Sequence, residues 1–466
     1  MSTNNGLEVE SNDCPLSYDP LPDEPQSELG HANRLIEVYG DRLRHVSSWK
    51  NGWLIWDNTR WVRDPDGQVY RWAKIIARLM MNDALAIDCD PKVRDKAISV
   101  ARRGESSSGI KGAVTLASSA EQIAITADEL DSDPFLVNCQ NGVFDLRTSN
   151  LRPHDPKLLL TKMAGAAYRA DPPGQYFTKF MERVQPDPEM RDYLARLLGQ
   201  SMEGRVVSHV LPIFYGAGAN GKGTLTTAVL AALGDYGDAA DPTLLTARKT
   251  DAHPTGTADL RGMRLAVLHE GDAGRHLAEG TVKRLTGGDR LKARRMNEDF
   301  WSFEPSHTFL MLTNHKPIVE GTDEGIWRRL KLIPWNVVIP PRERDEELGD
   351  RLAQEVDAVF AWLIAGYQSW AKIGLAEPKQ VVAATDDYRA ESDALGRFLD
   401  ERCMSGGTVG SDELFTAWSS WCKSEGHEPG TNKALTTALQ QRGYDKQRVS
   451  SGVRWSDLGL YTEGER

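Results

Sequence analysis

Residues 211–230 read LPIFYGAGANGKGTLTTAVL. Around the centre of this stretch, Pro212–Thr227, the chain changes character twice. The apolar run from Val210 to Tyr215 has the length of a buried strand. Glycines then crowd a loop: Gly216, Gly218, Gly221 and Gly223, with Ala217, Ala219, Asn220 and Lys222 among them. The Thr- and Ala-rich apolar segment from Leu225 to Leu233 predicts a helix. Gly216, Gly221 and Lys222 fill the first seven places of G-x-x-x-x-G-K-[ST]. Glycines let backbone N–H groups turn inward on a phosphate, the helix start adds partial positive charge, and the lysine reaches the outer phosphates. A glycine-rich turn that binds nothing is the plain alternative. The strand before the loop and the helix after it favour nucleotide, with ATP expected.

The eighth place departs from this pattern. Gly223 stands where a Ser or Thr should hold Mg²⁺, and Thr224 comes one residue late, a rotation of roughly 100° on a helix. Thr224 supplies the missing hydroxyl only if the loop relaxes.

Composition sets wider bounds. At 466 residues the length predicts several domains, and 40% hydrophobic with 26% charged residues is ordinary for a globular chain. Net charge is −11, so a nucleic-acid contact has to come from a local basic patch. The five cysteines, Cys14, Cys89, Cys139, Cys403 and Cys422, form no C-x-x-C pair. That argues against structural zinc and a disulfide framework, and fits a reducing, cytoplasmic setting. The longest apolar run, Ala358–Tyr367, is too short to cross a bilayer. The opening residues lack the basic-then-apolar layout expected of a signal peptide.

Residues 1–28 hold seven acids, four prolines and no Lys or Arg, and are expected to form a disordered acidic tail. An N-terminal α+β domain is expected over 29–170. Its helices are predicted at Ala32–Tyr39, Val69–Leu85, Lys92–Arg103 and Lys111–Ala124, and Trp49, Trp53, Trp56, Trp61 and Trp72 serve its core rather than stacking on bases. Residues 171–390 are expected to form an α/β nucleotide-binding domain with a parallel sheet and a helical lead-in, Gln175–Val184 and Glu189–Gly199. Residues 344–372 are predicted as one helical stretch. Residues 391–466 predict three helices and a terminal hairpin, the outline of a winged-helix module that contacts DNA or a protein.

Hydrolysis needs more than a phosphate cradle. Arg264–His269 is a buried-strand pattern ending at Glu270, which is expected to act as general base. Asp272 or water then completes the metal site, since His269 takes the place of the usual second acid. The apolar strand Thr308–Thr313 ends at Asn314, whose amide is suited to hold an attacking water beside the γ-phosphate. Arg328 or Arg329 is expected to reach a neighbouring subunit's phosphate. Between Glu270 and Asn314 lies the most basic window of the chain. Lys283, Arg284, Arg290, Lys292, Arg294 and Arg295 face a single acid, Asp289. Six cations in thirteen residues repel one another unless a polyanion lies opposite, and single-stranded DNA supplies one.

Taken together, the motifs Gly216–Thr224, Glu270, Lys283–Arg294, Asn314–Pro317 and Trp327–Pro334 resemble those of the superfamily 3 helicases. The likeness is to the helicase part of the phage and plasmid primase–helicase family, relatives of the poxvirus primase–helicases. FLVNCQNGVFDLRT at 135–148 resembles the segment preceding that core. The resemblance spans about residues 30 to 460. It implies an AAA+-like ATPase, a hexameric homo-oligomer with ATP between subunits, and 3′-to-5′ movement on single-stranded DNA in a central pore. Lys222 then binds phosphate, Glu270 activates water, Asn314 senses the γ-phosphate, and Lys283, Arg284, Lys292, Arg294 and Arg295 grip the strand. Only the short tail precedes this core, so primer synthesis is expected from a separate primase or polymerase partner. The rival reading is an ATP-switched initiation protein that assembles a replisome without unwinding.

Overall fold

A computed structural model describes residues 27–88, 90–247, 254–270, 274–294, 300–321, 323–450 and 452–461. The chain divides into two units, residues 1–168 with 233–235, and residues 169–232 with 236–466.

The first unit opens with α1 (Glu28–Tyr39), capped by the Ser27 hydroxyl, which accepts from Gly30 N at 3.1 Å. The expected tail therefore stops short of residue 28: Ser27 and Glu28 start this helix, and residues 1–26 lie outside the described residues. A four-stranded sheet follows. Strands β1 (Leu43–Val46), β2 (Trp53–Trp56) and β3 (Trp61–Arg63) form an antiparallel meander. Helix α2 (Gln68–Ala86) buries Val69, Trp72, Ala73, Ile76 and Met80, the one-sided spacing of an amphipathic helix. Helices α3 (Pro91–Gly104) and α4 (Ser107–Ala117) complete the layer.

Helix α4 starts and ends earlier than the expected 111–124. Ser106 caps it, accepting from Gly109 N at 3.1 Å. Released from the helix, β4 (Ala124–Ile125) pairs in parallel with His45 and Val46. The meander β5 (Leu136–Cys139), β6 (Gly142–Asp145) and β7 (Asn150–Arg152) closes the unit. Trp61 and Trp72 are buried in this unit's cores, and Trp56 nearly so.

In the second unit α5 (Gln175–Val184) and α6 (Pro188–Gly199) lead into a five-stranded sheet whose pairings are all parallel. Its strands are β8 (Leu211–Tyr215), β9 (Gly237–Ala240), β10 (Leu265–Glu270), β13 (Thr308–Thr313) and β14 (Leu330–Pro334), in the spatial order β14-β8-β13-β10-β9. Helix α7 (Lys222–Leu233) follows β8. Between β9 and β14 the chain also forms α8 (Pro254–Ala258), α9 (Glu279–Leu285), the hairpin β11 (Leu291–Ala293) with β12 (Trp301–Phe303), and α10 (Glu324–Trp327). Every residue of β13 is buried, as expected of a central strand covered on both faces.

The helical stretch expected over 344–372 is two helices, α11 (Leu348–Gln354) and α12 (Val356–Ile373). The break falls at Glu355, whose backbone leaves helical angles with φ −99° and ψ 22°. The Glu355 carboxylate accepts from Tyr176 N and Phe177 N, at 3.1 and 2.8 Å, capping the start of α5. Helices α6 and α12 cross at glycines. A Cβ on Gly199 would lie 2.3 Å from Tyr367 N, and one on Gly366 would lie 2.0 Å from Ala195 O.

After α13 (Lys379–Ser392) come α14 (Ala394–Arg402), β15 (Cys403–Met404), β16 (Thr408–Gly410), α15 (Ser411–Glu425), α16 (Asn432–Gln441), β17 (Lys446–Val449), β18 (Gly452–Ser456) and β19 (Gly459–Leu460). The antiparallel sheet β16-β18-β17 and the three helices share a core built on Phe398, Leu414, Trp418, Trp421 and Trp455.

Candidate functional site

Register brings the carboxyl ends of four strands to one level. Tyr215 pairs with Thr313 on one side and Pro334 on the other, and Thr313 pairs with Glu270. The chain leaves β8 toward the far edge strand β9, while β14 lies on the opposite flank. In open parallel sheets, crevices at such a reversal are where ligands bind. The glycine loop, residues 216–221, rises from this edge, with Asn314 directly after the neighbouring strand.

Two glycines of the loop are required by space. A Cβ on Gly216 would come 2.3 Å from Trp335 O, and one on Gly221, whose φ is +86°, would come 2.5 Å from Val184 Cγ1. A Cβ on Gly218 or Gly223 would meet nothing within 4 Å. Asn220 is buried and anchors the loop from below, its Nδ2 donating to Trp335 O at 3.2 Å. At the exposed tip, formed by Ala217, Gly218 and Ala219, Ala219 has a φ of +59°. A non-glycine residue there costs about 1 kcal/mol or more. The conformation is held by Ala219 O, which accepts from Ile339 N at 2.8 Å.

Lys222 is the first residue of α7 and only 6% exposed. Its Nζ donates to Gly216 O at 2.6 Å and to Asn314 Oδ1 at 3.2 Å. Both acceptors are neutral, and burial lowers the lysine pKa from its ordinary value. Asn314 is presented by a turn in which Thr313 Oγ1 donates to His315 O and accepts from His315 N. A buried ammonium beside a glycine cradle and a helix start is suited to a phosphate-like anion.

Thr224 is partly buried in the first turn of α7 and faces a cavity of about 610 Å³ beside the loop. Ala219 and Gly221 form its rim. Its walls are α5 through Tyr176 and Phe180, the segment at Ile339, and α11 through Leu348 and Arg351. Arg351 lies over the Tyr176 ring at 5.2 Å and pairs with Asp345 at 2.8 Å. Sequence reading missed these residues. They come from three separated segments and match no spacing pattern; the one available signal was that two helices lead into the loop.

Of the expected metal ligands, Thr224 is the one with a described side chain. Glu270 is described in its backbone, at the end of β10, and Asp272 lies outside the described residues. No cluster of three or more His, Cys, Asp or Glu suited to a metal occurs among the described residues.

The two arginines of the Trp-Arg-Arg segment differ. Arg329 is buried, donates to Gly325 O at 2.6 Å, and has its pKa lowered by desolvation and then by Arg328. Arg328 is exposed. The basic window divides as well. Lys283 is paired with Asp323 at 2.8 Å, and Arg290 lies near Glu304 at 3.8 Å. Along β11, Leu291 and Ala293 are buried while Lys292 is exposed, and exposed Arg294 follows. Lys292 and Arg294 both lie over the ring of Phe300, at 4.9 and 4.8 Å, and that ring is 51% exposed. Arg284 is exposed on α9, and Arg295 lies outside the described residues.

Two family models match the chain. One is described as D5 N terminal like and covers residues 32–186. The other, a family of unknown function (DUF5906), covers residues 214–329, a span that includes every candidate site residue from Gly216 to Arg329. A protein of Acanthamoeba polyphaga mimivirus, named as a helicase, is 28% identical over 58% of this chain and 31% of its own length. A protein of African swine fever virus, named as a primase, is 24% identical over 63% of this chain and 34% of its own. A Frog virus 3 protein named as a helicase is 24% identical over 60% and 30% respectively. The chain is thus similar to proteins of large DNA viruses named as helicases and primases.

The chain spans about a third of the length of those curated relatives. Among solved structures, the apo C-terminal region of NrS-1 matches 94% of the chain and all of its own length, with a TM-score of 0.52 at 13% identity. A second form of that region gives a TM-score of 0.50 at 11% identity over 93% of the chain. These likenesses concern the fold. Among the described residues, no helix is long and apolar enough to cross a membrane.

Proposed function

We propose that this primase–helicase relative is an ATP-driven DNA motor of the superfamily 3 type. Its second unit is a P-loop, AAA+-like ATPase core, and the ring acts on single-stranded DNA during replication in the cytoplasm of a host cell. One observation carries the reading. Lys222, buried at the sheet's carboxyl edge, is held by two neutral oxygens that an incoming phosphate displaces. The β- and γ-phosphates of ATP lie on the N–H groups of the glycine loop and on Lys222, and the nucleoside occupies the cavity between α5 and α11. Its apolar wall and volume suit a base and ribose.

Asn314, released from Lys222, orients water against the γ-phosphate. The water oxygen bonds to the γ-phosphorus, the bond from that phosphorus to the bridging oxygen of ADP breaks, and Glu270 takes the water proton. Mg²⁺ would be held by Thr224 with Glu270 and Asp272, and supplies charge neutralisation on the phosphate oxygens. Arg328, the exposed member of its pair, reaches the phosphate of a neighbouring protomer, and Arg329 braces the turn that carries it. Lys292 and Arg294, with Arg284 and Arg295, contact the strand's phosphates in the centre of the ring, expected to be a hexamer.

The test is ATP turnover and strand displacement on a forked substrate, with assembly followed by mass photometry. Turnover that rises with added single strand, in a ring that displaces a strand, supports the motor. A chain that stays monomeric with ATP and DNA present, and hydrolyses ATP at one rate either way, overturns it. An assembly that binds ATP without displacing a strand points to the initiation-switch reading.

A further inference from the structure

The last 76 residues are electrically lopsided. Residues 391–430 hold eight acids and three Lys or Arg, whereas 431–456 hold five Lys or Arg and one acid, Asp445. The basic part is α16 and the β17–β18 hairpin. Lys433, Thr437 and Gln440 are exposed at i, i+4 and i+7 along one stripe of α16, while Leu435 and Leu439 on the other side enter the core. The hairpin is joined to this helix through Lys446, whose Nζ donates to Thr436 Oγ1 at 3.0 Å and lies over Trp455 at 5.3 Å. Arg448 stands two residues further along the same face of β17, opposite Val453, and is exposed. Arg442 is occupied by an ion pair with Asp393. Lys433 and Arg448 have no ion-pair partner among the described residues.

We propose that α16 and the β17–β18 hairpin form a docking surface for B-form duplex DNA, separate from the nucleotide site and independent of the motor reading. Helix α16 follows α15 in a helix-turn-helix order and offers a cationic, amide- and hydroxyl-bearing stripe of the kind that enters a major groove. Arg448 on the adjoining hairpin contacts a phosphate beside that groove. The chemistry favours duplex DNA over a protein partner. Protein interfaces centre on aromatic or aliphatic anchors, and the exposed stripe of α16 has none. An RNA duplex is disfavoured because its major groove is too deep and narrow for a helix.

The experiment uses the full chain and fluorescence anisotropy with a labelled blunt duplex across a salt series, in the absence of nucleotide. The double variant Lys433→Ala, Arg448→Ala is expected to lose tenfold or more in duplex affinity. Its slope of log affinity against log salt should fall by about 0.9, the loss of the Arg448 phosphate contact. Lys433→Arg should restore affinity, and unchanged circular dichroism melting should show that the module remains folded. Wild-type duplex affinity and salt slope in the double variant overturn the proposal. So does a surface that binds polyglutamate, used as an acidic-protein probe, but not the duplex.

Discussion

The glycine loop and the basic hairpin are both short segments of the same unit, and both carry cations, yet they hold them in opposite ways. At the loop, backbone geometry buries Lys222 against two carbonyl-type oxygens, and glycines at 216 and 221 have no substitute. At the hairpin, Lys292 and Arg294 are exposed to solvent and both lie over an exposed phenyl ring. The groups that hold Lys222 therefore all come from one chain and are fixed in place. The hairpin's cations gain meaning from whatever lies opposite. Substitutions at the loop should act in steps, and substitutions at the hairpin should act in proportion to charge.

The largest break expected is Lys222→Ala. Loss of a charge-assisted phosphate contact should weaken ATP binding by about 10- to 100-fold and cut turnover by about a thousandfold, as read by fluorescent-nucleotide titration and phosphate release. Next is Gly221→Ala. A β-carbon at positive φ and 2.5 Å from Val184 should destabilise the chain by about 2–4 kcal/mol. Gly218→Ala, in open space, should leave the thermal midpoint unchanged. Equal midpoints for the two variants would remove the steric half of the comparison.

A third test probes the support between the two regions. His307 is buried against Phe309, and burial lowers its pKa from 6.5 to about 4. The folded chain refuses a proton that the unfolded chain accepts. Stability from this group is therefore full above about pH 6.5 and falls by up to about 3 kcal/mol as the pH drops to about 4. Thermal midpoints measured over this range should fall less steeply in His307→Leu.

Arg329→Ala should cost about 1–2 kcal/mol through the lost Gly325 contact, whereas Arg328→Ala should melt like the wild type but hydrolyse ATP slowly. A melting defect in Arg328→Ala instead would reverse their roles. The smallest effect belongs to the hairpin. Lys292→Ala with Arg294→Ala should reduce the salt slope of single-strand binding by about 1.4. An abrupt loss with no change in slope would mean that the hairpin, like the loop, works by shape.

Much of this was legible in the order of residues, because the forces concerned are local. The run Leu211–Tyr215, the glycines after it and the start of α7 depend on neighbours a few positions apart, and so does the apolar stripe of α2. Boundaries failed where a distant partner intervened. Glu355 reads as the interior of a helix, yet the helix breaks there and its carboxylate caps α5. Helix α4 stopped early because Ala124 and Ile125 are claimed by β1. The basic window looked uniform in sequence, and an acid forty positions away, Asp323, separates Lys283 from the rest.

Sequence alone determined which segments become strand, loop and helix at the glycine-rich turn, and that a lysine would stand at its helix start. Spacing and backbone freedom decide those matters within a single turn of chain. Tertiary structure alone decided that Asn314 would meet Lys222, that Arg329 and not Arg328 would be buried, and that α5, Ile339 and α11 would enclose a cavity beside the loop. Each of these brings together groups from separated segments, where only the packed sheet and helices fix the distance.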